Sequence, residues 1–212
     1  MESALRKTAP KNLEIIETLC FNPENGFLRL PGHIDRLEAT CSKLQYPFDR
    51  GSILMALGEA VGSKSSRVRL TINIDGKIDI KIGKVENIER WNIGISDKVL
   101  NSDDPWLSVK TTNRIVYDTE RANLTDLDEL LFLNENNEVC EGTISNVFVL
   151  VGDLFLTPPL SCGCLPGILR QEMLSNGKAK EQILFLRDLI AADKVFIGNS
   201  LRGLIAADLV QK

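Results

Sequence analysis

The sequence predicts an α+β fold, on three observations. Residues 66–85 alternate apolar and polar with period two around Asp75-Gly76, the pattern of a half-buried hairpin. Ile34, Leu37, Cys41 and Leu44 recur at the spacing of an amphipathic helix. Strand groups and helices then mix without the regular strand–helix–strand alternation of a doubly wound sheet.

Taken in order, residues 1–14 read as a frayed lead-in. Residues 13–30 read as a hairpin turning through Asn22-Pro-Glu-Asn-Gly26, broken by Pro31-Gly32. A helix follows to about Leu44. A second helix over 52–62 has Ile53, Leu54, Leu57, Ala60 and Val61 on one face and stops at Gly62. In the 66–85 hairpin, Val68, Leu70, Ile72 and Ile74 answer Ile78, Ile80 and Ile82, with a type I′ turn expected at Asp75-Gly76. Residues 91–99 form another strand. The polar stretch 100–108 reads as a linker, which divides the chain into domains 1–99 and 109–212. Beyond it come a helix after Thr112, a strand–Asn-rich turn–strand over 129–142, and a hairpin turning at Gly152-Asp153. A helix from Gly167 to Gly177, a short helix at 187–193 and two closing strands complete the pattern.

Composition limits the function. The chain has 212 residues, 43% hydrophobic and 25% charged, with net charge −4. No block of Lys or Arg stands out, which argues against nucleic acid or an anionic membrane as the main partner. No apolar run reaches the roughly 18 residues of a membrane span, and the N-terminus lacks a signal-peptide apolar region. Five cysteines with no framework spacing and a single histidine, His33, argue for reduced thiols, a cytoplasmic setting and no metal site. A Ser-His-Asp or Cys-His mechanism would have to use His33, which has no nucleophile motif nearby.

The chemistry concentrates after residue 140. Glu141 and Asn146 sit at the mouth of an apolar strand, where a carboxylate needs a partner. About 25 residues on, Gly167 lets the backbone turn into a helix whose first amides belong to Ile168 and Leu169. Free N–H groups at a helix start make an anion site. A ligand carrying both a basic nitrogen and a phosphate would use both features.

Glu141, Thr143, Asn146, Val147, Phe148, Phe155, Thr157, Leu165, Gly167, Ile168 and Arg170 resemble, at every spacing, the signature of the class IV (fold type IV) pyridoxal-phosphate aminotransferases and lyases. The stretch Lys110-Thr-Thr-Asn-Arg114-Ile-Val-Tyr117-Asp resembles the aminodeoxychorismate lyase branch. Residues 32–39, with His33 and Arg36, and the late Asn199-Ser200 loop are similar to further family elements. The resemblance runs from about residue 13 to the C-terminus. It implies a two-domain α+β fold like that of D-amino acid aminotransferase: a small N-terminal α/β sandwich, a C-terminal pseudo-barrel, and the cofactor between them in a homodimer.

The same resemblance implies the residue roles. Lys110 is the Schiff-base lysine and proton shuttle. Glu141 faces the pyridine nitrogen and favours its protonated form, which makes the ring an electron sink. Arg36 pairs with the cofactor phosphate. Gly167, Ile168, Leu169 and Ser200 complete the phosphate cup. Arg114 and Tyr117 are either substrate contacts or packing residues, Asn146 braces the loop carrying Glu141, and His33 orients the Arg36 helix. The reaction expected is 4-amino-4-deoxychorismate lysis to 4-aminobenzoate and pyruvate. The alternatives are amino transfer from branched-chain L- or D-amino acids to 2-oxoglutarate, and a non-catalytic cofactor-binding scaffold. Most family members are longer at the N-terminus, which bears on substrate choice more than on cofactor use.

Overall fold

The computed structural model describes residues 4–210. They form two compact units. The first comprises residues up to 86 together with 109–113; the second comprises 87–108 and everything from 114 on.

The first unit opens with α1 (Ala4–Thr8). Residues 4–8 of the expected frayed lead-in are therefore helical, with Leu5 buried; residues 1–3 lie outside the described range. β1 (Ile15–Asn22) and β2 (Gly26–Phe27) form the first hairpin. α2 (Leu30–Leu44) carries Pro31 in its first turn and buries His33, Ile34, Leu37, Thr40, Cys41 and Leu44 along one stripe. It ends at Gln45, which takes the left-handed φ of 57° usually left to glycine. α3 (Arg50–Ala60) is capped by Asp49, whose carboxylate accepts from the Ser52 N–H at 2.8 Å.

β3 (Ser66–Ile72) and β4 (Ile78–Gly83) complete a four-stranded sheet of order β2-β1-β3-β4. Their turn is not type I′, which needs positive φ at both central residues. Only Gly76 has it, at 78°. The Asn73 side chain organises the turn instead, accepting from the N–H groups of Asp75 at 3.1 Å and Lys77 at 2.9 Å. Residues 109–113 return to this unit. The Ile16 N–H donates to the Lys110 carbonyl at 2.8 Å and the Thr112 N–H to the Glu14 carbonyl at 2.9 Å. Lys110 is thus stitched beside β1.

The second unit contains β5 (Arg90–Leu100), α4 (Ile115–Ala122), β6 (Glu129–Asn134), β7 (Val139–Gly142) and β8 (Asn146–Val151). β9 (Leu154–Thr157), α5 (Ile168–Ser175), β10 (Ala179–Glu181), α6 (Leu186–Ala191), β11 (Lys194–Asn199) and β12 (Gly203–Leu209) follow. The strands run β10-β9-β8-β11-β12-β5-β6-β7, and β7 pairs back to β8. Six strands therefore close into a ring, the pseudo-barrel. Trp91, Ile93, Leu131, Val139, Val147, Val149, Ile197 and Ile205 come from all six and pack as one buried cluster, as a small barrel's filled interior requires. Phe148, on the opposite face of β8, packs instead with Leu169 and Met173 of α5.

These units differ from the expected 1–99 and 109–212 division. β5 pairs in parallel with β6 and β12, so it belongs to the barrel. The expected linker 100–108 is also part of the second unit: Leu107 packs on Leu100, Phe132 and Cys140, and Glu135 accepts from the Ser102 N–H at 2.9 Å.

Candidate active site

The second unit gathers most of the signature residues into one cluster. β7 and β8 are joined by three residues, and Glu141 stands opposite Asn146 across the pair. Glu141 is buried, with both carboxylate oxygens engaged. The Tyr117 hydroxyl donates to Oε1 at 2.8 Å, and the Leu165 N–H donates to Oε2 at 3.0 Å. Burial, reinforced by the neighbouring Glu141 carboxylate, pushes the Tyr117 hydroxyl far above the usual phenol range, so it remains a donor.

A second carboxylate, which the sequence reading missed, shapes the connecting loop. Glu129, fully buried at the start of β6, accepts from the Thr143 N–H at 3.0 Å, the Ile144 N–H at 3.2 Å and the Ser145 hydroxyl at 2.9 Å. The Thr143 hydroxyl also bonds it. A Cβ at Gly142 would lie 2.5 Å from Ser145 Oγ and 2.9 Å from the Glu129 carboxyl, so this tight loop needs glycine there.

Gly167 caps α5 in an extended conformation (φ −65°, ψ 141°) without any side-chain cap bond. The first amides of a helix have no intrahelical acceptor, and here those belong to Ile168 and Leu169. Asn146 is the brace for this corner. Its Nδ2 donates to the Leu165 carbonyl at 3.1 Å, and a Cβ on Gly167 would fall 1.9 Å from its Oδ1. Asn146 therefore supports the 165–167 segment rather than only its own loop. Leu165, already held on Glu141, lies two residues from Gly167, no more than about 7 Å of chain. Arg170, the signature's basic end, is 2% exposed and bonds the Pro158 carbonyl at 2.8 Å and the Glu181 carboxylate. It is spent on structure.

The late loop joins the same cluster. Asn199 Oδ1 accepts from the Leu201 N–H at 3.1 Å and the Arg202 N–H at 3.0 Å, while its Nδ2 donates to the Ile144 carbonyl at 3.1 Å. Ser200, buried, sits at the head of that turn. Arg114 Nη2 donates to the Thr143 carbonyl at 2.7 Å and its Nε to Asp118 at 2.7 Å. Arg114 and Tyr117 thus both engage the Glu141 segment.

Arg36 and Lys110 belong to the first unit. Arg36 donates through Nε and Nη2 to the two oxygens of Glu17, at 2.8 and 2.7 Å, a bidentate fork. His33 Nδ1 lies 2.6 Å from the same carboxylate, so His33 and Arg36 are fixed to one anchor. Burial by itself would raise the Glu17 carboxyl, but Arg36 and His33 outweigh it and hold it at about 2. The signal for Glu17 lay in the register Ile15-Glu17-Leu19, an acid in line with two apolar residues on one strand face.

The family described as amino-transferase class IV matches residues 14–210, and the chain belongs to that family. A Mesorhizobium loti protein of known structure, described as a candidate amino-acid aminotransferase, is 36% identical. Its TM-score is 0.90, over 93% of this chain and all (100%) of that one. The aminodeoxychorismate lyase of Vibrio harveyi is 26% identical over 199 residues, 81% of this chain and 73% of its own. The branched-chain aminotransferase of Thermoproteus uzoniensis, solved with norvaline, shares the fold. It superposes with a TM-score of 0.79 at 20% identity, over 93% of this chain and 78% of its own.

Proposed function

We propose that this chain is a pyridoxal-phosphate-dependent 4-amino-4-deoxychorismate lyase, releasing 4-aminobenzoate and pyruvate. The observation that carries the cofactor reading is the pairing of a two-donor-anchored carboxylate, Glu141, with an uncapped helix start at Gly167. The residues fit the group. A ring nitrogen takes a fixed carboxylate, and a phosphate takes backbone amides where Gly167 leaves no room for a side chain. Solved relatives include a Mycobacterium tuberculosis protein in its PLP-bound form.

When bound, the cofactor withdraws electrons from the substrate's amine-bearing carbon. The chain's residues do the rest. Glu141 holds the ring nitrogen in its protonated form. By the family resemblance, the amides of Ile168 and Leu169, Ser200 and the Arg36 guanidinium would hold the phosphate. Lys110 would hold the cofactor through its amine until the substrate's own amine takes its place; the freed Lys110 amine would then remove the proton from the amine-bearing ring carbon. As the ring C–O bond to the enolpyruvyl group breaks and the ring aromatises, Lys110 returns that proton to the departing three-carbon fragment.

The Lys110–Asp118 stretch favours lysis over amino transfer, and lyases recur among the relatives. Amino transfer is the second reading, favoured by the 36% identical Mesorhizobium loti protein. The two separate in one assay. The loaded protein is incubated with aminodeoxychorismate alone and, separately, with branched-chain or D-amino acids plus 2-oxoglutarate. Pyruvate release without an oxo acid is the expected result; amino transfer with no pyruvate release would overturn the lyase.

A further inference from the structure

We propose that Tyr117 is the positioning residue that aims the Glu141 carboxylate and keeps it an acceptor. The inference rests on the reading of Glu141 as the ring-nitrogen partner.

α4 is held in an unusual way. None of its side chains is fully buried, and its two large aliphatics, Ile115 and Val116, are 75% and 40% exposed. Packing of an apolar stripe, the ordinary anchor of a surface helix, is largely missing. Polar contacts replace it, and three of them meet on one segment. Tyr117 donates to Glu141, Arg114 to the Thr143 carbonyl, and Arg121 to the Thr143 hydroxyl at 3.2 Å. The helix thus bears on the loop that carries the carboxylate, while Glu120 accepts from the Ser96 hydroxyl of β5 at 2.7 Å.

Tyr117 is itself held firmly. Its ring stands edge-on to Phe132 of β6, centroids 5.0 Å apart at 71°, and the Arg114 guanidinium lies 5.5 Å over its face. Phe132 is fully buried, so the phenol has a rigid base. With the Leu165 amide on the other oxygen, two donors from different elements fix the carboxylate plane. A hydroxyl proton committed to Glu141 is not available for donation to a substrate. Among the titratable groups that feel Glu141 are the Cys140 and Cys164 thiols, and the always-charged Arg114 guanidinium lies against Tyr117. Burial pushes both thiols up, Cys164 to about 12, so they stay neutral while a carboxylate titrates.

The test is Tyr117→Phe, which keeps the ring and its Phe132 contact. In cofactor-free protein, carbon-13 NMR of labelled Glu side chains follows Glu141, assigned by the signal lost in Glu141→Gln. Glu141 should titrate at higher pH in Tyr117→Phe than in the parent protein. Pyridoxal phosphate, titrated by absorbance, should bind about tenfold more weakly, the scale of losing one hydrogen bond to a charged group. An unmoved Glu141 titration overturns the role of Tyr117. A moved titration with unchanged cofactor affinity supports that role and instead overturns Glu141 as the ring-nitrogen partner. Should Tyr117→Phe not fold, 3-fluorotyrosine at position 117 preserves the shape and donates more strongly; it should move the Glu141 titration downward, and no movement overturns the proposal.

Discussion

At the scale of single residues, the two buried carboxylates with opposite tasks are Glu17 and Glu141. Glu17 is spent on holding cations. Its carboxyl sits at about 2 because Arg36 and His33 outweigh the burial penalty, below the 4.5 of an unperturbed glutamate. A depressed acid stabilises the fold above its unfolded pKa and loses that contribution as pH falls through the folded one. Stability measured by urea unfolding should therefore drop by about 3 kcal/mol between pH 5 and pH 2 on account of this one group. Glu17→Gln should remove that part of the acid response. A variant that keeps the full acid slope would contradict the Glu17–Arg36 pairing as its source. Glu141 was legible in the sequence because it belongs to a spaced pattern ending at Gly167. Glu17 left only the faint sign of an acid in line with two apolar residues, and Glu129 no more, since a lone acid in a strand does not tell what it faces. Their partners lie far off in sequence, or in backbone amides that carry no sequence signal.

At the scale of elements, the corner where β8 meets the start of α5 is the tightest part of the site. Asn146 and Gly167 are a matched pair: the amide fills the space that a Cβ would take, 1.9 Å from its Oδ1. Gly167→Ala should lower stability by about 2 kcal/mol and weaken cofactor binding, read by thermal melting and absorbance titration. The double variant Gly167→Ala with Asn146→Ala should lose less than the sum of the two singles, because the clash is removed with the amide. Strict additivity would argue that the two do not share this space. The Gly-to-helix transition and the hairpins were readable from local turn chemistry. The strand membership of β5 was not, since its partners β6 and β12 are parallel neighbours reached through long connections. The β3–β4 turn was misjudged for a local reason: Asn73 supplies side-chain acceptors that allow Asp75 to keep an ordinary φ.

At the scale of the whole molecule, the chain passes from the first unit into the second after residue 86, returns for 109–113, and leaves again. That five-residue return places Lys110 in a different compact unit from Arg114 and Tyr117, its neighbours in sequence. A division read from polar composition alone set the boundary at 100–108, because those residues look like a linker. They pack instead through Leu107 into the barrel unit. The α+β class and a C-terminal pseudo-barrel were expected from the family resemblance; the part of β5 in the six-strand ring and the interleaving of units were not, because both depend on which strands the chain meets on its return. The central claim is that Lys110 carries the cofactor. It is tested by incubating the protein with pyridoxal phosphate, reducing with borohydride and mapping the labelled peptide by mass spectrometry. The account expects a phosphopyridoxyl group on Lys110 and none in Lys110→Ala; a label on another lysine, or no specific label at all, would contradict it.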